Sequence, residues 1–161
     1  LEVTLRPIRP EDEPKMVKFH ETLSERSVYL RYFRAFQLDQ RVEHERLTRI
    51  CFVDYDRDIA IVVTHKNPKT DEEEIIAAGR LTKERTSDEA EFAILVSDRY
   101  QSQGVGTSML VHLLEIGRQE GVKRVVAYLL TENRGMRAIC LKLGFRLERE
   151  AELFKAIIDL E

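Results

Sequence analysis

Gln101, Gly104 and Gly106, set in Gln101-Ser102-Gln103-Gly104-Val105-Gly106-Thr107-Ser108, are the residues of this chain best suited to hold an anion. They lie between an apolar run, Phe92 to Val96, and an amphipathic run carrying Leu110, Leu113 and Leu114. A helix opening on glycines presents unpaired N–H groups, the positive end of its dipole and a backbone that a ligand can approach closely. That chemistry suits a phosphate. A plain tight turn needs the same glycines. A dinucleotide loop needs a third glycine where Met109 stands, and it follows its strand directly, whereas eight residues, Ser97 to Gly104, intervene here. Glu132 lies too far along to be its ribose-binding acid.

Glu91 is the carboxylate out of keeping with its neighbours. On a strand it shares a face with Ala93 and Leu95, and partial burial there would raise its pKa and suit it to proton transfer. The competing readings are a solvated strand end or a pair with Arg80 across the sheet, with Glu89 as the reserve carboxylate. Cys140 falls on a helical stripe with Met136 and Leu143, which predicts a packed, inert thiol. Asn133 stands where a helix N-cap belongs. His20, His44, His65 and His112 are scattered, no metal-ligand spacing involves Cys51 or Cys140, and no G-x-S-x-G elbow is present. No metal site is expected.

The elements that must position these groups follow from periodicity. Strands are predicted over 3–8, 59–64, 75–81, 90–96, 124–130, 145–150 and 153–160. Helices are predicted from an acidic opening over Arg9 to Pro14 through Met16, Phe19 and Leu23, from an N-cap at Asp39 through Cys51, from Val105 to Glu120, and from Asn133 to Gly144. The segment Ser27 to Phe33 is left unassigned. The order is β-α-α-β-β-β-α-β-α-β-β, one α/β domain over 1–161.

With 161 residues, 43% apolar and 34% charged, the chain can bury a real core. A net charge of −3 gives no basic footprint for nucleic acid, and no apolar run is long enough for a membrane span. Cytoplasm is the expected location. A first residue of Leu1 suggests a piece of a longer chain.

The spacing Gln101-x-x-Gly104-x-Gly106 resembles the Q/R-x-x-G-x-G/A pyrophosphate motif of the GNAT family of N-acetyltransferases. Asn133, Ala138, Gly144 and Phe145 match a second family segment, N-x-x-x-x-A/I leading into a helix that ends in Gly-Phe. The resemblance implies the GNAT fold, a mixed and mostly antiparallel twisted sheet of about seven strands flanked by about four helices. It implies acetyl-CoA as co-substrate, with Gln101, Ser102, Gln103, Gly104, Val105, Gly106, Thr107 and Ser108 around the pyrophosphate. Ile94, Leu95 and Val96 would meet the pantetheine with their main chain, and Asn133 would bond its arm. It also implies Glu91 as general base and an oxyanion donor among the N–H groups near Leu95 or Val96. The family commonly places a tyrosine acid four residues before the glycine of Gly-Phe; here Cys140 stands there.

A narrower resemblance is to the acetyltransferase domain of bacterial protein lysine acetyltransferases, fused behind an ADP-forming acyl-CoA-synthetase-like region. It rests on Ile8-Arg9-Pro10-Glu11-Asp12, Ser27-Val28-Tyr29-Leu30-Arg31, Val53-Asp54-Tyr55-Asp56-Arg57 and Ala90-Glu91-Phe92. The implied acceptor is a protein lysine. A small-molecule amine, or acyl-CoA sensing without catalysis, are the alternatives.

Overall fold

The computed structural model describes residues 2–54 and 57–160, so Tyr55 and Asp56 of the third matching segment lie outside the described residues. In chain order the elements are β1 (Thr4–Pro7), α1 (Glu13–Glu21), α2 (Glu25–Tyr32), α3 (Leu38–Arg41), α4 (His44–Cys51), β2 (Asp58–Lys66), β3 (Glu73–Lys83) and β4 (Glu89–Val96). Then come α5 (Val105–Gln119), β5 (Arg124–Leu130), α6 (Arg134–Lys142), β6 (Arg146–Glu150) and β7 (Leu153–Asp159). The seven strands form one sheet in the order β1-β2-β3-β4-β5-β7-β6. Only β4 and β5 run parallel; the other five neighbouring pairs are antiparallel. The mixed, mostly antiparallel sheet expected from the resemblance is therefore present.

The helices number six among the described residues rather than about four, for two local reasons. Ser24 caps the unassigned segment, its hydroxyl accepting from the Ser27 N–H at 3.1 Å, and so starts α2. The second helical run is broken at Val42 and Glu43 into α3 and α4. Asp39, expected as the cap of that run, lies inside the first turn of α3, where its carboxylate accepts from the Gln40 N–H.

Each sheet face has its own core. On one, Met109, Leu110, Leu113 and Leu114 of α5 pack over β2 to β4, with Cys140 and Phe145 joining from the far side. On the other, Met16, Phe19, Val28, Leu47 and Cys51 of α1, α2 and α4 cover Ala60, Val62, Ile75 and Leu95. Fully burying such a side chain contributes about 1.5–3 kcal/mol. The sheet is thus covered on both sides, which explains why β2 is buried from Ile59 through Thr64.

The last strands position the site. β5 pairs with β4 at only three positions, Glu89↔Arg124, Ala90↔Val125 and Glu91↔Val126, yet pairs with β7 along its whole length. Beyond Glu91 the two parallel strands part. The cleft that opens leaves one backbone edge of β4, from Phe92 to Val96, without a strand partner. Beneath it the Phe92 and Phe145 rings meet edge to face at 5.7 Å.

Candidate active site

One wall of the cleft is the start of α5. Gly104 has φ +84°, the left-handed conformation that ends a turn and starts the helix, and a Cβ there would meet nothing within 4 Å. Glycine is needed at 104 for its backbone alone, and the space in front of it is open. Gly106 is needed for closeness: a Cβ would come within 3.2 Å of Ile139 Cδ1 of α6. Ser108 is the first helix residue whose N–H finds a carbonyl, that of Gly104 at 3.0 Å. The N–H groups of Val105, Gly106 and Thr107 have no partner among the described residues, and no acidic residue occupies the first turn. This is the anion cradle the sequence suggests, its dipole unopposed.

The loop leading to the cradle is fastened to the α1–α2 junction by three side-chain bonds. Ser97 Oγ donates to Thr22 Oγ1 at 2.9 Å, the Ser24 N–H donates to Asp98 Oδ1 at 2.9 Å, and Gln101 Nε2 donates to Ser27 Oγ at 3.0 Å. Gln101 Nε2 also donates to the Val96 carbonyl at 3.1 Å. Its amide nitrogen is engaged by α2 and by the end of β4, so Gln101 here braces the cradle. Ser102 takes a left-handed φ of 62° in the same turn, and Gln103 donates to the Arg99 carbonyl at 3.3 Å. Val105 points into the core, leaving only its backbone for a ligand. Thr107 and Ser108 follow on the first turn, half-buried and exposed.

On the opposite wall Asn133 caps α6, its side-chain oxygen accepting from the Met136 N–H at 3.2 Å. Cys140 is fully buried, and burial pushes its thiol up to about 12. The packed, inert cysteine expected from its stripe is what the fold contains. Ile94 and Leu95 are buried to opposite sides of the sheet, Ile94 toward α5 and Leu95 toward α1 to α4.

Glu91 stands at the fork, at the last β4–β5 pair. It is exposed rather than half-buried, because the strands part just where a neighbour would have covered it. The pair with Arg80 does not form: Arg80 donates to Asp58 Oδ2 at 3.3 Å and to the Ile50 carbonyl at 3.2 Å. Glu89 is half-buried on the same strand face.

That face also carries a cavity of about 140 Å³ between the sheet and α1, α2 and α4. Ala93 and Leu95 line it, as do Arg31, Tyr32, Arg46 and Arg80. The gathering of its arginines, of which the sequence suggested only Arg80 as a neighbour of Glu91, and Tyr128 on the face of β5 that Glu91 shares, were not picked out from sequence. The three arginines come from α2, α4 and β3, and no local spacing links them. Among the described residues no group of His, Cys, Asp and Glu could hold a metal, and no helix is long and apolar enough to cross a membrane.

The family model described as the acetyltransferase (GNAT) domain matches residues 2–146. This chain belongs to the GNAT family. An acetyltransferase of Pseudomonas aeruginosa is 26% identical over 151 residues, covering 93% of this chain and 78% of that protein. The acetyltransferase Pat of Mycolicibacterium smegmatis is 30% identical over 147 residues, covering 91% of this chain but only 42% of Pat. The crystal structure of the GNAT domain of S. lividans PAT superposes with a TM-score of 0.86 at 27% identity, covering 98% of this chain and 90% of that one. As a GNAT protein the chain is an acetyltransferase that uses acetyl-CoA as its acyl donor. The cofactor's pyrophosphate fits the chemistry of the α5 cradle, which supplies N–H donors and no carboxylate.

Proposed function

We propose that this GNAT domain acetylates lysine side chains of proteins, with Glu91 as the general base. The observation that carries the reading is the position of Glu91: a carboxylate without an ion pair among the described residues, at the fork between β4 and β5 and on the face that holds the cavity. Support for a protein acceptor comes from the segments Ile8–Asp12, Ser27–Arg31 and Ala90–Phe92, which resemble bacterial protein lysine acetyltransferases, and from the likeness to the S. lividans PAT domain. An attached acyl-CoA-synthetase-like region belongs to the same proposal.

A lysine ammonium, with an ordinary pKa of about 10.4, must lose a proton before it can attack. Glu91 accepts that proton, directly or through water, because its carboxylate stands exposed at the fork with no hydrogen bond or ion pair among the described residues. The amine nitrogen then bonds to the acetyl carbonyl carbon. The oxyanion is held by a main-chain N–H near Leu95 or Val96, and the carbon–sulfur bond breaks to release CoA. The thiolate takes its proton from solvent, since Cys140 is sealed in the core. Gly104, Val105, Gly106 and Thr107 bind the pyrophosphate through their backbone, Ser102, Gln103 and Ser108 border it, and Gln101 holds the loop in shape. Ile94 to Val96 meet the pantetheine, and Asn133 caps α6 with one end of its amide while the other reaches the arm.

Polyamines are poor candidates for the acceptor, because the cavity beside Glu91 is lined by Arg31, Arg46 and Arg80. Thiol release from acetyl-CoA, measured with a protein fraction and with a panel of small amines, tests the proposal. Release with protein accompanied by acetyl-lysine formation, and reduced at least about 100-fold in Glu91→Gln with acetyl-CoA affinity unchanged, is the expected result. Release only with small amines would discard the protein acceptor. Near-normal turnover by Glu91→Gln would remove Glu91 from the mechanism. Tight CoA binding without transfer to any amine would mark a sensor.

A further inference from the structure

The cavity beside Glu91 has a charge that amine acetylation does not require. Three guanidinium groups line it and no carboxylate does. Arg80 is offset by Asp58, at 3.3 Å and outside the lining. Among the described residues Arg46 has no ion pair: its Nη1 donates to the Arg41 carbonyl at 2.8 Å and its Nη2 to the Tyr32 hydroxyl at 3.0 Å. Arg31 lies half-buried with its guanidinium 4.8 Å from the Tyr32 ring centre, and it makes no hydrogen bond or ion pair among the described residues. His20, also in the lining, is held neutral: burial first, then Arg46 and Arg41, push it down to about 3. Two cations without an ion-pair partner among the described residues therefore face a half-enclosed space, with only the through-space charge of Glu91 acting on Arg31, an arrangement that an anion in the cavity would relieve.

We propose that this cavity is a carboxylate-binding subsite for the acceptor, so that the enzyme selects amines carrying an acidic group close by, and in proteins a lysine next to Asp or Glu. The inference rests on the proposed amine acetylation and names its acceptor more narrowly. Guanidinium groups match a carboxylate in shape as well as charge, since they can donate two parallel N–H bonds to it. The spacing agrees. Ala93 lines the cavity and Glu91 is the next residue on the same strand face, two residues or about 7 Å away. An acceptor can thus place its carboxylate among the arginines and its amine at Glu91 at once. Met16, Ile50 and Leu95 supply an apolar surface for the intervening methylenes. The same cations turn an incoming ammonium away from the cavity and toward Glu91, which fixes the orientation.

The test uses pairs of lysine peptides identical except for Glu or Gln beside the lysine, and lysine itself against its amide as free amino acids. The wild type should favour the Glu peptide by about tenfold in kcat/KM, mostly through KM, as one charge-assisted contact allows. Arg31→Gln should reduce the preference to less than about twofold, and Arg31→Lys, which restores the charge but not the paired N–H donors, should recover part of it. Retained acetyl-CoA binding shows that each variant folds. Transfer to peptides without a Glu/Gln preference would overturn the subsite and leave protein lysine acetylation standing. Carboxylate-dependent transfer confined to free amino acids would keep the subsite and discard the protein acceptor. If no acceptor turns over, binding of the two peptides to the CoA complex decides: equal affinities overturn the subsite, while a Glu preference lost in Arg31→Gln supports it.

Discussion

The pyrophosphate cradle draws its proposed binding groups from one continuous stretch, Gln101 to Ser108, while the acceptor wall draws its own from α1, α2, α4, β3 and β4. The first works mainly through backbone: the three free N–H groups of Val105, Gly106 and Thr107 and the space in front of Gly104. The second works through side chains, with Arg31, Arg46 and Arg80 around one cavity and Glu91 at its mouth. A backbone site is tolerant of the side chains around it but intolerant of a misplaced Cβ. A side-chain site is the reverse, and each of its charges depends on its particular partners.

Four experiments sharpen or break that contrast. The largest effect is expected at Asp12, the buried carboxylate that anchors the start of α1 under the acceptor wall. Burial pushes its pKa up, but the two 2.8 Å bonds from Arg6 and the Arg9 N–H outweigh this and hold it below the ordinary carboxylate range. Asp12→Ala should destabilise the fold by about 3 kcal/mol in urea denaturation, because it leaves the mostly buried Arg6 with only the exposed Glu73 carboxylate at 3.2 Å and takes the acceptor from the Arg9 N–H. Next is Gly106→Val, which pushes on Ile139 and tilts the helix start. Its acetyl-CoA affinity, read by calorimetry, should fall by at least about tenfold, or about 1.4 kcal/mol, with kcat at saturating cofactor much less affected.

The third concerns acid. His20 has a folded pKa of about 3 against an ordinary 6.5, so between those values the unfolded chain binds the extra proton. Its contribution is complete above 6.5 and is lost as pH falls toward 3, by about 1.4 kcal/mol per pH unit. Asp12, with its lowered pKa, adds a further loss as pH drops below about 4. A His20→Gln variant should show a visibly flatter decline of denaturation midpoint between pH 6 and pH 4. The smallest effect belongs to Cys140→Ala. It should retain most activity and lose about 1 kcal/mol of stability, the worth of roughly one buried methylene-sized group. A folded but inactive Cys140→Ala enzyme would instead put the thiol into the chemistry.

The same contrast explains what could be read from sequence. The α5 cradle was legible because strand, turn, glycines and helix are contiguous, and local spacing carries local geometry. Cys140 was legible from its helical stripe. The exposure of Glu91 was not, because alternation along β4 says which face a residue takes but not where a neighbouring strand departs. The α2 segment stayed unread because its eight residues put Val28 inward amid charged and aromatic neighbours, a weak stripe started by a lone Ser24 cap. Arg31, Arg46 and Arg80 are brought together only by tertiary packing.

The three bonds between the cradle loop and the α1–α2 junction give the two proposed ligand sites a direct mechanical link. Thr22, Ser24 and Ser27 sit at the end of α1 and the start of α2, the helices that carry His20 and Arg31 to the cavity. Acetyl-CoA seated on the loop as proposed would bear on the platform from which the acceptor is held, and a bound acceptor would bear on the loop. Thermodynamic reciprocity requires the two enhancements to be equal, so the factor by which acetyl-CoA tightens acceptor binding is also the factor by which the acceptor tightens acetyl-CoA.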